Sequence, residues 1–344
     1  MAVSTITMRR SSRIAKQEEA NDIITPIKRE LSSSPSASSS TPKKKKKKKK
    51  KHTIDSFAKS SSSKKPSQSP PIDKESQLRI RKLKPFFSSS SSASSPAHHP
   101  KSPFPNWPRP TPVDCAAVHK TLATIHGDRL RPEERVPAAP ATRAGCGDSP
   151  SVLDALVRTI LSQNTSDGNS SRAKMSMDDV YGASDRWEAI VRGGREKLER
   201  AIRSGGLSVV KSGAIMGLLR QVKERHGVYS LDHLFEASDE EAMRQMLSFK
   251  GVGPKTASCV LLFCLGRSSF AVDTHVYRLT GLLGWRPPKA SREEAQAHLD
   301  ALIPAEEKYP LHVLFIVHGK RCPECRAGGK SLGQCELRKL FRLS

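Results

Sequence analysis

From Ser149 to the C-terminus, apolar residues recur at three- and four-residue intervals, and glycine or proline punctuates nearly every gap between the runs. That period is the mark of helices with one buried face. Leu153, Leu156, Val157, Ile160 and Leu161 make the first stripe. Ser149-Pro150 ahead of it reads as an N-cap followed by proline in the first turn. Further helices are expected over 187–191, 196–203, 209–225, 239–247, 254–265, 274–283 and 292–302. No alternating run is long enough to make a strand, so the expected class is all-α with short connections. Residues 174–186, KMSMDDVYGASDR, break the period and are expected to form a loop insertion.

The first 110 residues obey no such period. They hold 25 Lys+Arg against 7 Asp+Glu, serine runs at 32–34, 60–63 and 88–92, and nine consecutive lysines at 43–51. Such a stretch buries too little apolar surface to offset its chain entropy, so 1–110 is expected to be a disordered basic tail and 111–344 the folded domain. The lysine block suits nuclear import or phosphate contact, which makes the nucleus the expected location, ahead of an organelle. No stretch approaches the roughly 20 apolar residues that cross a bilayer, so no membrane partner is expected and the protein reads as soluble and intracellular. Seven cysteines at irregular spacing do not resemble a secreted disulfide framework.

Between the helices expected to end near 247 and to start near 254 lies SFKGVGPKTA. Gly251 and Gly253 can take positive φ, so the backbone can turn sharply there, and Pro254 suits a first helical turn. The helix that follows opens with unpaired N–H groups and a partial positive charge, a good seat for a phosphate oxygen. Taken alone, the Gly-x-Gly is equally an αα-turn with a glycine cap.

The full run Leu247-Ser-Phe-Lys-Gly-Val-Gly-Pro-Lys-Thr-Ala257, followed by Phe270-Ala-Val-Asp-Thr-His275, resembles the endonuclease III branch of the helix-hairpin-helix (HhH-GPD) DNA glycosylases. The resemblance extends to LVRTILSQNTSD upstream and HGKRC downstream, with the hairpin motif at about 243–265. It implies two helical subdomains with the active-site cleft between them, and a monomer acting on double-stranded DNA that carries a damaged or modified base. It also implies Lys255 as the nucleophile that gives base removal and strand cleavage, with Asp273 as its catalytic partner. Gly251, Val252, Gly253 and Thr256 would hold DNA, and Gln163, ahead of Asn164, would fill the gap left by an everted nucleotide.

Elementary chemistry agrees with the pair. The eleven residues from Lys255 to Gly266 climb about 16 Å as helix, and the seven steps back to Asp273 span up to about 24 Å. A lysine attacks an anomeric carbon only when burial and neighbouring cations leave it unprotonated. Asp273 also reads as the N-cap of the helix that follows it, and His275, with no evident partner, as structural.

The resemblance further implies an iron–sulfur cluster on four cysteines after His318-Gly319. Only Cys322, Cys325 and Cys335 are present and the first ligand is missing, so a 4Fe-4S cluster is doubtful and no cofactor is required for the chemistry. Three cysteines with His318 are a possible zinc set, and a remnant that binds nothing is the other reading. Lys320, Arg321, Arg326 and Lys330 are either phosphate contacts or a solvated basic face.

Overall fold

A computed structural model describes Lys74, Gln77 and residues 102–134 and 145–340. The chain divides into Met1–Lys65 and Pro66–Ser344, and none of the first part lies within the described residues, so the fold is that of the second. The expected disordered basic tail over 1–110 falls outside the described residues except at Lys74, Gln77 and 102–110, and the last of these stretches is packed rather than disordered.

Among the described residues the secondary structure is helical throughout. Helix α1 is Pro112–His126, α2 Val152–Ser162, α3 Asp167–Tyr181, α4 Trp187–Ala201, α5 Ser208–His226 and α6 Asp239–Ser248. There follow α7 Pro254–Phe263, α8 Thr274–Leu282, α9 Arg292–Leu302, α10 Ala305–Arg321 and α11 Glu336–Lys339. No helix among them is long and apolar enough to cross a membrane.

Two separate apolar cores divide the helices. The stripe of α2 meets Met177 of α3, Ile190 of α4, Leu218 and Leu219 of α5, Met246 of α6 and Val260 of α7. A second core gathers Val118 and Leu122 of α1, Val276 and Leu279 of α8, Leu299 of α9, Leu314 and Phe315 of α10 and Leu337 of α11, with Trp285 from the α8–α9 connection. Residues ahead of α1 are tied to this second core: Ser102 Oγ lies 2.6 Å from His298 Nδ1, and the Trp107 indole donates to Gly284 O.

Three local expectations are corrected. The 174–186 segment is not a loop insertion, because α3 runs through Tyr181. Lys174 misled because it is buried and paired: it is 1% exposed and its ammonium reaches Asp178 Oδ1 at 2.6 Å and Asp154 Oδ1 at 3.5 Å. Asp154 in turn accepts from Arg158 Nε at 2.6 Å. The entry to α2 is not capped by Ser149. The helix starts at Val152, whose N–H donates to Asp232 Oδ1, while Ser149 Oγ accepts from Ser151 N. The two helices expected over 187–203 form one element that breaks at Gly194, where φ is 75°. Helices α1 and α10, with the short α11, lie beyond the expected set. The first buries only Cys115, Val118 and Leu122, a sparse stripe, and the second carries Pro310 in its interior.

Candidate active site

The two cores leave a cleft of about 1370 Å³ between them, and Lys255 and Asp273 both line it. Each is placed by its own helix start.

On one wall, α6 and α7 are joined by 249–253. Phe249 N–H returns to Met246 O and Val252 N–H to Phe249 O, which closes the turn. Gly251 sits at φ 91°, and a Cβ there would stand 2.9 Å from the Ala214 Cβ of α5, so conformation and packing both require glycine. Gly253 behaves differently from the expectation: its φ of −105° is ordinary extended backbone, and a Cβ would meet nothing within 4 Å. Val252 is buried in the first core, and with its N–H spent inside the turn it serves the hairpin by packing. The first internal bond of α7 is Ala257 N–H to Gly253 O, so the N–H groups of Lys255 and Thr256 are left unspent by the helix. Thr256 is buried and its hydroxyl accepts from Gln163 Nε2 at 3.1 Å, which leaves its backbone, not its side chain, for a ligand.

Gln163 and Asn164 end α2 beside this hairpin. The Gln163 amide also reaches Gly251 O at 3.4 Å, so it braces the hairpin. Asn164 is exposed, lines the cleft and holds φ 50°, a left-handed conformation that asparagine tolerates.

On the facing wall Asp273 caps α8: one oxygen, Oδ1, accepts from His275 N and Val276 N, each at 2.8 Å. Cap and cleft position coexist, as the sequence suggested. His275 has a partner after all, lying 3.1 Å from Arg278 Nη2 and packed under Gly319.

The electrostatics around Lys255 depart from expectation. Nucleophilic attack asks for burial and neighbouring cations to lower its pKa, and the structure raises it. Attraction to Cys259 beside it is the largest cause; burial opposes, and Asp273 and Cys146 add to the rise. Burial resists ionisation of Cys259, but Lys255 and His312 next to it prevail and lower its pKa. His312 is fixed in turn, its Nδ1 lying 2.8 Å from Ala271 O. Cys259 and His312 were missed by sequence reasoning. A signal for the cysteine existed, since Lys255 and Cys259 are one turn apart on α7 and share a face.

Near the C-terminus the ligand atoms of His318, Cys322, Cys325 and Cys335 lie within 4.8 Å of one another. A 4Fe-4S cubane asks for four cysteines, each on a different iron and so held apart by the body of the cluster. Three thiols and an imidazole this close do not suit it.

The model of the HhH-GPD superfamily base excision DNA repair proteins matches residues 157–305, which include Lys255 and Asp273. An Arabidopsis thaliana protein provisionally named a DNA glycosylase is 36% identical over 240 residues, covering 65% of this chain and 81% of its own length. The DNA glycosylase/AP lyase ROS1 of Arabidopsis thaliana is 30% identical over 151 residues, which is 11% of its length. Among solved structures, a non-covalent endonuclease III–DNA complex aligns at a TM-score of 0.51 with 25% identity, covering 67% of this chain and 95% of the other.

Proposed function

The chain belongs to the HhH-GPD superfamily of base excision DNA repair proteins, and on that premise we propose that Lys255 is the nucleophile that excises a damaged or modified base from double-stranded DNA. DNA glycosylase is its class. The observation that carries the nucleophile assignment is the meeting of Lys255 and Asp273 in one cleft at the start of α7.

A base within a duplex is out of reach, so the nucleotide is everted into the cleft. Asn164 enters the space left behind, while Gln163 holds the hairpin in shape. The unspent N–H groups at the start of α7 receive a phosphate oxygen beside the target. The lone pair of neutral Lys255 Nζ attacks C1′, and the glycosidic bond breaks with its electron pair leaving on the base. Nζ then sheds a proton as the sugar opens to a Schiff base, with O4′ keeping the C1′–O4′ pair and taking up a proton. Asp273 and Cys259, the groups beside Nζ, take its protons, and the carboxylate offsets positive charge on the sugar. A Schiff base permits elimination of the 3′ phosphate, which is lyase activity; the AP lyase named among the relatives supports that extension. The lysine block at 43–51 supports a nuclear location.

Borohydride trapping on duplex DNA with an abasic site or an oxidised pyrimidine tests the proposal. The protein should leave a covalent adduct that Lys255→Ala abolishes. A shift of the DNA without adduct or base release would mark a binder and defeat the enzymatic reading. The raised pKa of Lys255 favours one second reading, in which the ammonium stays protonated and Asp273 directs water instead. Base release without any adduct would identify that monofunctional glycosylase.

A further inference from the structure

We propose that His318, Cys322, Cys325 and Cys335 form a structural zinc site that staples the second subdomain. Such a site stands whichever nucleophile the cleft uses.

The donor set is built by local structure. His318 lies in the last turn of α10 and Cys322 follows one turn later on the same face, its N–H bonded to His318 O at 2.8 Å. Cys325 N–H and Arg326 N–H both return to Cys322 O, at 3.2 and 2.9 Å, so the Cys-x-x-Cys segment folds into a tight turn with both thiols on one side. Cys335 is ten residues further on, and its return is enforced by Glu324. That carboxylate accepts from the N–H groups of Leu332, Gly333, Gln334 and Cys335 at 2.9, 3.2, 2.7 and 2.6 Å. Four backbone bonds to one side chain hold a ten-residue loop in a single shape.

Two donor pairs already stand at the spacing that one small ion requires, and all four donors lie within 4.8 Å of one another. Zinc bonds of about 2.3 Å to sulfur and 2.0–2.1 Å to nitrogen at tetrahedral angles put two thiolates about 3.8 Å apart and a thiolate and an imidazole nitrogen about 3.5 Å apart. Cys325 Sγ is 3.6 Å from Cys335 Sγ, and Cys335 Sγ is 3.4 Å from His318 Nε2. Iron–sulfur ligation fails on donor type, whereas Cys₃His is an ordinary structural zinc set.

The surroundings complete the case. His318 Nδ1 lies 2.9 Å from His126 Nε2 on α1. With the Nδ1 proton donated to His126, the Nε2 lone pair faces the thiols, which is the usual outer-shell arrangement for a metal-bound histidine. Three thiolates around a divalent ion leave one net negative charge, and Arg338 lies beside Cys325 to offset it. Arg278 on α8 donates to Cys325 O at 2.8 Å and to Gly319 O at 3.0 Å. The site thus joins α10, the C-terminal loop and α11, and it braces the helix that Asp273 caps.

The test is metal analysis of the full chain, purified without DNA, by elemental mass spectrometry and by cobalt substitution. The expected result is about one zinc per chain, with the cobalt form showing visible bands of a tetrahedral thiolate site. His318→Cys should retain the metal and shift those bands, and His318→Ala should lose it. His126→Ala, which removes no ligand, should weaken zinc about 10–100-fold. Iron and sulfide in place of zinc would overturn the proposal. So would a metal-free chain, whether its thiols are free or Cys325 and Cys335 are joined as a disulfide. Because no substrate enters the measurement, these results stand apart from the trapping assay.

Discussion

At the scale of single residues, the decisive contact is the one between Lys255 and Cys259. A nucleophilic amine must be neutral, yet Cys259 and Asp273 beside it favour the ammonium. A raised pKa lowers the neutral fraction at any pH below it, tenfold per unit. The trapping rate in single turnover should therefore climb with pH from neutrality upward. Cys259→Ala removes the largest raising cause and leaves burial, which lowers the pKa, less opposed. The rise in rate should then begin at lower pH, and the neutral-pH rate should increase unless Cys259 is also needed to carry the proton. An unchanged profile would show that the thiol does not govern the amine. Lys255→Ala should abolish the adduct at every pH.

At the scale of elements, glycine and lysine each mark a place where the fold has no freedom. Gly251→Ala would place a methyl 2.9 Å from the Ala214 Cβ at φ 91°, a cost of about 1–2 kcal/mol for the conformation alone. Since that residue sets the turn ahead of α7, DNA affinity should fall along with the urea midpoint, while Gly253→Ala, at ordinary φ and in open space, should cost far less stability. Lys174→Met would take the ammonium from Asp178 and Asp154, which keep Ser184 and Arg158 as partners, and losing these charged hydrogen bonds should cost about 1.5–3 kcal/mol. A urea midpoint within error of the parent would refute that account of α3. These two elements also show what a sequence reveals. The hairpin was legible because its glycines, proline and lysine sit in consecutive positions and turn chemistry is local. Helix α3 was not, because Lys174 and Asp178 look solvent-exposed until Asp154, twenty residues earlier, is known to face them. The same limit hid His312, which reaches the cleft from α10, and the return of Cys335, which depends on a carboxylate eleven residues away.

At the scale of the whole molecule, charge is divided from chemistry. The described residues hold the cleft, whereas 18 of the chain's net +25 charges fall within the first 110 residues, most of them outside the described part. Polyanion binding by such a segment is driven by counterion release and depends steeply on salt, whereas the chemical step in the cleft does not. Ser102, at the start of the continuously described residues, hydrogen-bonds His298. Removing residues 1–101 should therefore leave the second core intact. The plot of log affinity against log salt for undamaged duplex DNA should flatten, its slope shrinking by about 0.9 for every phosphate that is no longer neutralised. With enzyme saturating, the single-turnover trapping rate should not change, because Lys255, Asp273 and the hairpin are all retained. If the rate fell instead, the basic segment would be acting inside the cleft and the division between gripping DNA and cutting it would fail. If the salt slope stayed the same, the phosphates would have to be held by the helical part, with the exposed Lys320 and Arg326 near the cleft and the C-terminal loop the first to examine.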